Sequence, residues 1–196
     1  MPFVVTVDQR ASRRGPDRVA GALTALAGVR TLLGFERTAG DEFQGVLGDP
    51  VAVVDVVIWL VRAGGWSIGV GAGAVQTPLP ESTRAATGAA FLGARQAVEA
   101  AKQRSSRLAV RGADEQAAAD AQAVGTALAA LVRRRSPQAW AAIDLVGSGR
   151  TQADAAQVLG VSRQAVGQRL AAASYDVEQE LRPAWARMLD RAAVAR

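Results

Sequence analysis

The chain has 196 residues, of which 49% are hydrophobic and 21% charged, the composition of a globular protein with one large domain or two small ones. It contains neither cysteine nor histidine, which excludes disulfides, thiolate or imidazole metal sites, and nucleophilic sites that use a histidine base. Any bound metal must use carboxylate ligands, as magnesium, manganese and calcium do. No apolar run is long enough to cross a bilayer and the first residues do not resemble a secretory signal, so we expect a cytoplasmic protein without a membrane partner.

The formal net charge is +5, and Lys102 is the only lysine among 23 basic residues. This arginine-rich, positive balance is typical of polyanion binding. The composition of a GC-rich genome explains it equally well, so the charge alone leaves both interpretations open.

The first 112 residues have the mixed pattern of an α/β (α+β) domain. A β-branched run predicts a first strand that ends at Asp8, and apolar residues at helical spacing predict the helices. In the segment after Trp66, alternating glycines leave one face of a predicted strand nearly bare. The predicted strands cover 4–7, the two arms of a hairpin over 35–47 that turns at 39–41, 66–75 and 107–110, and the predicted helices cover 18–33, 50–62 and 87–104.

The remainder of the chain is predicted to be all-helical. A long alanine-rich helix over 113–135 ends in three arginines, which suit the C-terminal end of a helix dipole, the favoured interpretation, with direct contact to phosphate as the alternative. We therefore predict a first domain over 1–112, a connecting helix over 113–135 and a helical domain over 136–196. A last stretch over 174–191 is predicted to form one or two helices, with Pro183 starting or kinking the second, and is expected to pack onto the preceding helices or to form a dimer contact.

Capping residues divide the segment after residue 135 into three short helices. Ser136-Pro137 begins the first, and Thr151 with Asp154 forms a capping box that begins the second. Gly160 suits the turn because it tolerates a positive φ, and Ser162 caps the third helix. This spacing predicts a helix-turn-helix module that binds double-stranded DNA.

Side chains at the start of the third helix are placed to enter the major groove, where arginine reads guanine and glutamine reads adenine. Hydroxyls, amides and backbone N–H groups at the helix N-termini suit contacts with phosphate. The segment TQADAAQVLGVSRQAVGQRL resembles the helix-turn-helix of sigma-factor region four. The predicted DNA-contact residues are Thr151, Gln152, Ser162, Arg163, Gln164, Gln168 and Arg169.

The element order of the first domain, and the piece RTAGDEFQGVL in its hairpin, resemble the GGDEF domains of diguanylate cyclases and the class III nucleotidyl cyclases. This resemblance implies a ferredoxin-like, palm cyclase-type fold. It also implies that Asp8 and Asp41 hold magnesium on a nucleoside triphosphate, a role that needs only oxygen ligands.

A further resemblance covers most of residues 4–104, through the pieces VDQRASRRGPDRV, TAGDEFQGVL, WSIGVGAGAVQTP and TGAAFLGAR. Together these are similar to the SatD family, many of whose members also have a C-terminal helix-turn-helix. The matching residues are Asp8, Ser12, Arg13, Thr38, Gly40, Asp41, Glu42, Phe43, Gln44, Gly69, Gly71, Gly88, Ala90, Phe91, Ala94 and Arg95. Those proposed to converge on a metal or a phosphorylated ligand are Asp8, Ser12, Arg13, Asp41, Glu42, Gln44 and Arg95.

Catalysis is less favoured by the sequence than binding. Asp8 is followed by Gln9-Arg10, where a diguanylate cyclase has a second aspartate and a phenylalanine, and Ala39 replaces the first glycine of the hairpin. No catalytic residue is therefore assigned and no cofactor is required; magnesium with a nucleotide is the one cofactor that the resemblance suggests. The leading prediction is a dimeric transcription regulator whose first domain serves dimerisation or nucleotide sensing. The alternatives are a magnesium-dependent nucleotidyl cyclase and a nucleoid-associated DNA binder.

Overall fold

The residues that the structure describes, 1–12 and 15–195 of a computed structural model, form a five-stranded mixed sheet with helices, followed by a helical region. The strands are β1 (Phe3–Gln9), β2 (Leu33–Ala39), β3 (Glu42–Leu47), β4 (Trp66–Ala72) and β5 (Leu108–Gly112). The helices are α1 (Val19–Leu26), α2 (Pro50–Ala63), α3 (Ala89–Lys102), α4 (Glu115–Arg133), α5 (Pro137–Gly147), α6 (Gln152–Leu159), α7 (Arg163–Ala172) and α8 (Tyr175–Ala192). The predicted mixed α/β domain and all-helical remainder are confirmed.

Strand β1 is the central strand of the sheet, whose order is β2-β3-β1-β4-β5. It is antiparallel to both neighbours, and its register places Asp8 opposite Glu42 of β3 and Ser67 of β4. Strands β4 and β5 are parallel, with α3 as the crossover between them. The predicted hairpin is formed by β2 and β3, and Gly40 turns it with a φ of 53°.

The two faces of the sheet carry different helices because side chains alternate along each strand. One face, which includes Phe3, Val5 and Val7 of β1, packs with α1, α2, α4 and α8 in the main hydrophobic core. Helices α4 and α8 therefore share the core of the sheet, although the sequence assigned them to a connector and to the C-terminal domain. Helices α5, α6 and α7 have a smaller core of their own.

The opposite face carries α3 at very short range. A Cβ added at Gly69 would lie 2.3 Å from the backbone nitrogen of Val98, and one at Gly71 would lie 2.0 Å from the carbonyl oxygen of Ala90. Helix α3 thus packs on the bare face of β4 that the alternating glycines predicted, and the α3 residues at this contact are buried alanines. This close approach holds α3 against the ends of β1 and β3, where the polar residues of the domain lie.

The edge of the sheet at β5 is buried, and a side chain bonds its backbone. Gln122 of α4 accepts a hydrogen bond from the Val110 N–H at 2.8 Å and donates one to the Leu108 carbonyl at 3.2 Å. It takes the place of a neighbouring strand, which reduces the tendency of an open edge to pair with another chain.

Several element boundaries differ from those predicted. The first helix ends at Leu26 instead of continuing to residue 33, since Gly28 weakens the pattern and Leu33 already belongs to β2. Strand β4 ends at Ala72 instead of residue 75. Of the one or two helices predicted over 174–191, the structure has one, α8, with Pro183 inside it. Across residues 1–12 and 15–195, no helix combines the length and the apolar character needed to span a membrane.

Candidate functional site

The predicted DNA-contact residues lie on the three-helix unit formed by α5, α6 and α7. Its core includes Ile143 of α5, Ala155 and Ala156 of α6, and Val166 and Leu170 of α7. Small alanines at the contact let α6 and α7 cross closely. The turn between them has Gly160 at a φ of 65° and a ψ of 34°, the left-handed conformation that glycine adopts without strain.

Helix caps set the direction of α6 and α7. The Thr151 hydroxyl oxygen accepts from the Asp154 N–H at 3.1 Å, and the Asp154 carboxylate accepts from the Thr151 N–H at 3.1 Å, so the predicted capping box is confirmed. The Ser162 hydroxyl oxygen accepts from the Ala165 N–H at 3.1 Å. Hydrogen bonds from Thr151, first its side chain and then its backbone, lower the pKa of Asp154.

The pKa of Asp154 makes the capping box sensitive to acid. A carboxyl whose pKa is lowered by folding contributes stability above its unfolded pKa, near 3.8, and loses that contribution as the pH falls through the folded pKa. We expect the wild type to be more thermally stable than Asp154→Asn at pH 6, and this advantage to be smaller at pH 2.5, below the unfolded pKa. Melting curves at the two pH values measure it, and an advantage that persists unchanged at pH 2.5 would assign the effect to another group.

Three predicted contact residues at the start and on the outer side of α7, Arg163, Gln164 and Gln168, are exposed to solvent. Within residues 1–12 and 15–195, none of the three has a hydrogen-bond or ion-pair partner. Gln152 of α6 is also exposed, whereas Arg169 is half-buried. The hydroxyls of Thr151 and Ser162 cap α6 and α7. The groups left to contact phosphate at these helix starts are therefore backbone N–H groups of the first turns.

Gly167 lies inside α7, and its missing side chain weakens that helix. A Cβ there would meet Oε1 of Gln152 at 3.4 Å, an ordinary contact with the end of a flexible side chain. We expect Gly167→Ala to raise the free energy of unfolding by about 0.5–1 kcal/mol, because alanine loses less backbone entropy in a helix. Urea denaturation measures the change. A loss of stability would show that α6 and α7 are too close at this point for a methyl group.

The three-helix unit is attached to the rest of the chain through arginines that surround one tryptophan. Trp140 of α5 has the guanidinium of Arg62 at 4.1 Å from its ring centroid and that of Arg135 at 4.9 Å. Arg62 also donates two hydrogen bonds to Asp144 of α5, at 2.5 and 2.6 Å. These contacts fix α5 against the C-terminal end of α2.

Arg135 is the buried member of the predicted arginine run. It donates to the Glu178 carboxylate at 2.5 Å and, through Nε and Nη2, to the Ala173 carbonyl at 3.1 and 3.0 Å. Helix α4 ends at Arg133, so Arg135 lies beyond it and serves as a tertiary tie between the three-helix unit and α8. The two interpretations of the arginine run at 133–135 were helix-dipole complementarity and phosphate contact, and neither of them includes a buried tertiary contact by Arg135. Arg134, in contrast, is exposed.

The second group of predicted site residues lies around the ends of β1 and β3. Asp8 forms an ion pair with Lys102 of α3, Nζ to Oδ2 at 3.0 Å, and Asp41 accepts a hydrogen bond from the Ser12 hydroxyl. Although burial acts in the opposite direction, hydrogen bonds that Lys102 donates to Glu99 and Asp8 raise the pKa of the lysine.

Glu42 belongs to the same group and is almost buried. Arg95 of α3 donates to both of its carboxylate oxygens, at 3.0 and 2.8 Å, and Thr38 donates at 2.8 Å. Gln44 donates to the hydroxyl of Thr6 at 2.6 Å. Arg13 lies outside the described residues.

These side chains open into two separate cavities. Asp8, Ser12 and Asp41 line one of about 560 Å³, and Glu42, Gln44 and Arg95 line another of about 690 Å³. Within residues 1–12 and 15–195, no three acidic side chains are grouped as a metal site requires. Two of the carboxylates face cations, so the side chains in this arrangement do not fit a two-metal centre, and they offer donors and acceptors to a polar ligand instead.

Two partners in this group, Lys102 and Thr6, were not selected from the sequence. The sequence indicates which face of its element each residue shares, although it does not indicate the partner. Lys102 follows Arg95 by seven residues, two helical turns, and therefore lies on the same face of α3. Thr6 precedes Asp8 by two residues and so lies on the same face of β1.

Comparisons with known proteins provide no family for this chain: no protein-family model, no curated protein and no solved structure matches it.

Proposed function

We propose that the chain is a DNA-binding protein, a dimeric transcription regulator in which α6 and α7 form a helix-turn-helix with α7 as the recognition helix. The observation that carries the proposal is the left-handed turn at Gly160, which joins two capped helices and leaves Arg163, Gln164 and Gln168 exposed and unpaired within the described residues. Arginine and glutamine are the side chains best suited to read guanine and adenine.

The capped helix starts support the same proposal. The backbone N–H groups in the first turns of α6 and α7, after the capping residues Thr151 and Ser162, suit contacts with the phosphate backbone, which position a helix without reading sequence. The unit has three arginines at 150, 163 and 169. Its two aspartates are both engaged, Asp144 with Arg62 and Asp154 in the capping box.

The first domain is proposed as a degenerate palm-type domain of the SatD kind. The hairpin between β2 and β3, and the central β1 with Asp8 as its last residue but one, support this assignment. The ion pairs Asp8–Lys102 and Glu42–Arg95 favour dimerisation or ligand binding over nucleotidyl cyclase activity, because they place cations where metal ligands would have to be free. Formation of a labelled cyclic or linear product from nucleoside triphosphates with magnesium would overturn this part.

The experiment that tests DNA binding is selection of bound fragments from sheared genomic DNA at about 150 mM salt, a physiological ionic strength. A motif with two half-sites about one helical turn apart would support a site-specific dimer. Recovery without a motif would favour a nucleoid-type binder, and no recovery would contradict the proposal. Sedimentation of the full chain tests the dimer independently, and a strict monomer at high micromolar concentration would remove it.

A further inference from the structure

An open groove of about 1060 Å³ lies between α3 and α4, beside β5. Its first end contains the starts of both helices, because a Cβ at Gly93 of α3 would lie 3.4 Å from that of Arg111, shortly before α4 begins at Glu115. Its second end contains Arg104, which follows α3, and Thr126 of α4. The two helices therefore run in the same direction along the groove.

The groove has apolar walls although it is open to solvent. Ala119 and Ala123 of α4 are exposed, and Leu92 at the first end of the groove is 70% exposed, more than any other large hydrophobic residue that the structure describes. A helix face that meets only water is normally polar or charged. Contiguous apolar surface of this kind marks a contact with another molecule.

The shape of this face makes it complementary to a copy of itself, since the protruding Leu92 and the groove lie side by side. A two-fold axis across the groove turns the first end of one copy onto the second end of the other. Leu92 of each copy then enters the groove of the other beside Ala123 and Thr126. Such a contact is complete with two copies, because each groove is filled by the other copy.

The charges of the groove favour the same arrangement. Glu115 lies at the first end and Arg104 at the second; both are exposed, and within residues 1–12 and 15–195 neither has an ion-pair partner. The two-fold arrangement places Glu115 of each copy opposite Arg104 of the other. Arg111, also at the first end, donates to the Val110 carbonyl at 3.0 Å. Between the two ends the lining is uncharged, as is typical of the centre of an interface.

We infer that the groove between α3 and α4 binds a second copy of this chain, with Leu92 of each copy in the groove of the other. The inference rests on the dimer of the proposed function and not on DNA binding. It assigns the contact to α3 and α4, whereas the sequence suggested the stretch over 174–191. No residue that lines the groove belongs to the three-helix unit, so the contact leaves α7 of both copies uncovered by this surface.

The first test is sedimentation equilibrium of the full chain. Leu92→Glu should raise the dimer dissociation constant by at least about tenfold, because it places a charge in an apolar groove. Val51→Glu is the matched control: Val51 is 53% exposed near the start of α2, on the opposite face of the sheet, and its variant should stay within about twofold of the wild type. Both positions are exposed near a helix start, where an acidic residue is tolerated, so the monomers should melt alike.

A charge exchange tests the two-fold arrangement. Glu115→Arg alone, or Arg104→Glu alone, should raise the dissociation constant by at least about threefold, because each dimer then contains two pairs of like charges. The double variant restores opposite charges at both places and should return to within about twofold of the wild type. A double variant weaker than either single variant would contradict the predicted pairing and overturn the inference.

The remaining outcomes separate this inference from the proposed function. A wild type that stays monomeric at high micromolar concentration would overturn the inference and remove the dimer. A dimer that Leu92→Glu weakens no more than Val51→Glu does would overturn the inference and leave the proposed dimer to form through another surface. Dimerisation that depends on Leu92, in a chain that recovers no DNA, would contradict the proposed DNA binding and leave this inference standing.

Discussion

Glu178→Ala is expected to lower the free energy of unfolding by about 3–5 kcal/mol, because it leaves the charge of Arg135 buried without a carboxylate. The two side chains are only 1% and 2% exposed, and Nη1 of Arg135 lies 2.5 Å from Oε2 of Glu178. Arg135 cannot lose its proton to escape this cost. Its remaining hydrogen bonds, to the Ala173 carbonyl, satisfy donors but do not neutralise the charge.

A matched control exists in the same network. Arg182 bonds both Glu178 and Asp55, and the Asp55 side chain is 59% exposed. Asp55→Ala should therefore cost at most about 1 kcal/mol, since water screens an exposed pair. Replacing both buried partners, as Arg135→Met with Glu178→Leu, should recover much of the loss. Urea denaturation measures all three variants. If Glu178→Ala lowers the free energy of unfolding no more than Asp55→Ala does, the charge of Arg135 must be solvated in the variant.

The buried pair has a consequence beyond stability. Arg135 bonds Glu178 at the start of α8 and the Ala173 carbonyl at the end of α7, and it also contacts Trp140 of α5. One side chain thus links the three-helix unit to the core that contains the sheet. If α7 is the recognition helix, its position relative to the first domain depends on this contact.

The sequence predicted the local features of the fold well. The capping box at Thr151, the cap at Ser162 and the glycine turn at Gly160 are read from a few neighbouring residues, and the structure contains all three. The turn of the hairpin and the glycines facing α3 are likewise local signals, because they follow from backbone conformation and side-chain size. Local chemistry of this kind is visible without knowledge of the tertiary contacts.

The tertiary partners could not be read in the same way. Nothing in the run Arg133 to Arg135 distinguishes the arginine that becomes buried, since its partner Glu178 lies 43 residues further along the chain. The same holds for α8, whose apolar residues, such as Trp185 and Leu189, could cover any apolar surface and in fact pack on α4 and α2. The pairing of Asp8 with Lys102 depends on the crossover of α3, which brings the two ends together. Long-range packing decides these contacts, and periodicity alone contains no information about it.

Arg163→Ala and Gln164→Ala are each expected to weaken binding to a selected DNA site by about 1–3 kcal/mol, roughly 5-fold to 150-fold, because each removes paired hydrogen bonds to a base. Both side chains are exposed at the start of α7, so truncation should leave the fold intact. Fluorescence anisotropy with the selected duplex measures the loss. Arg187→Ala and Gln179→Ala are matched controls, since both residues are exposed on α8 outside the three-helix unit.

The comparison between selected and unrelated DNA decides what kind of contact is lost. Removing a side chain that reads a base should lower affinity for the selected site and change affinity for unrelated DNA little. Removing a side chain that contacts phosphate should lower affinity for both DNAs and reduce the dependence of binding on salt. We expect the first behaviour for Gln164, which carries no charge. Equal losses on both DNAs for Arg163→Ala and Gln164→Ala would indicate a nucleoid-type binder. Losses no larger than those of the α8 controls would mean that α7 is not the helix that reads DNA.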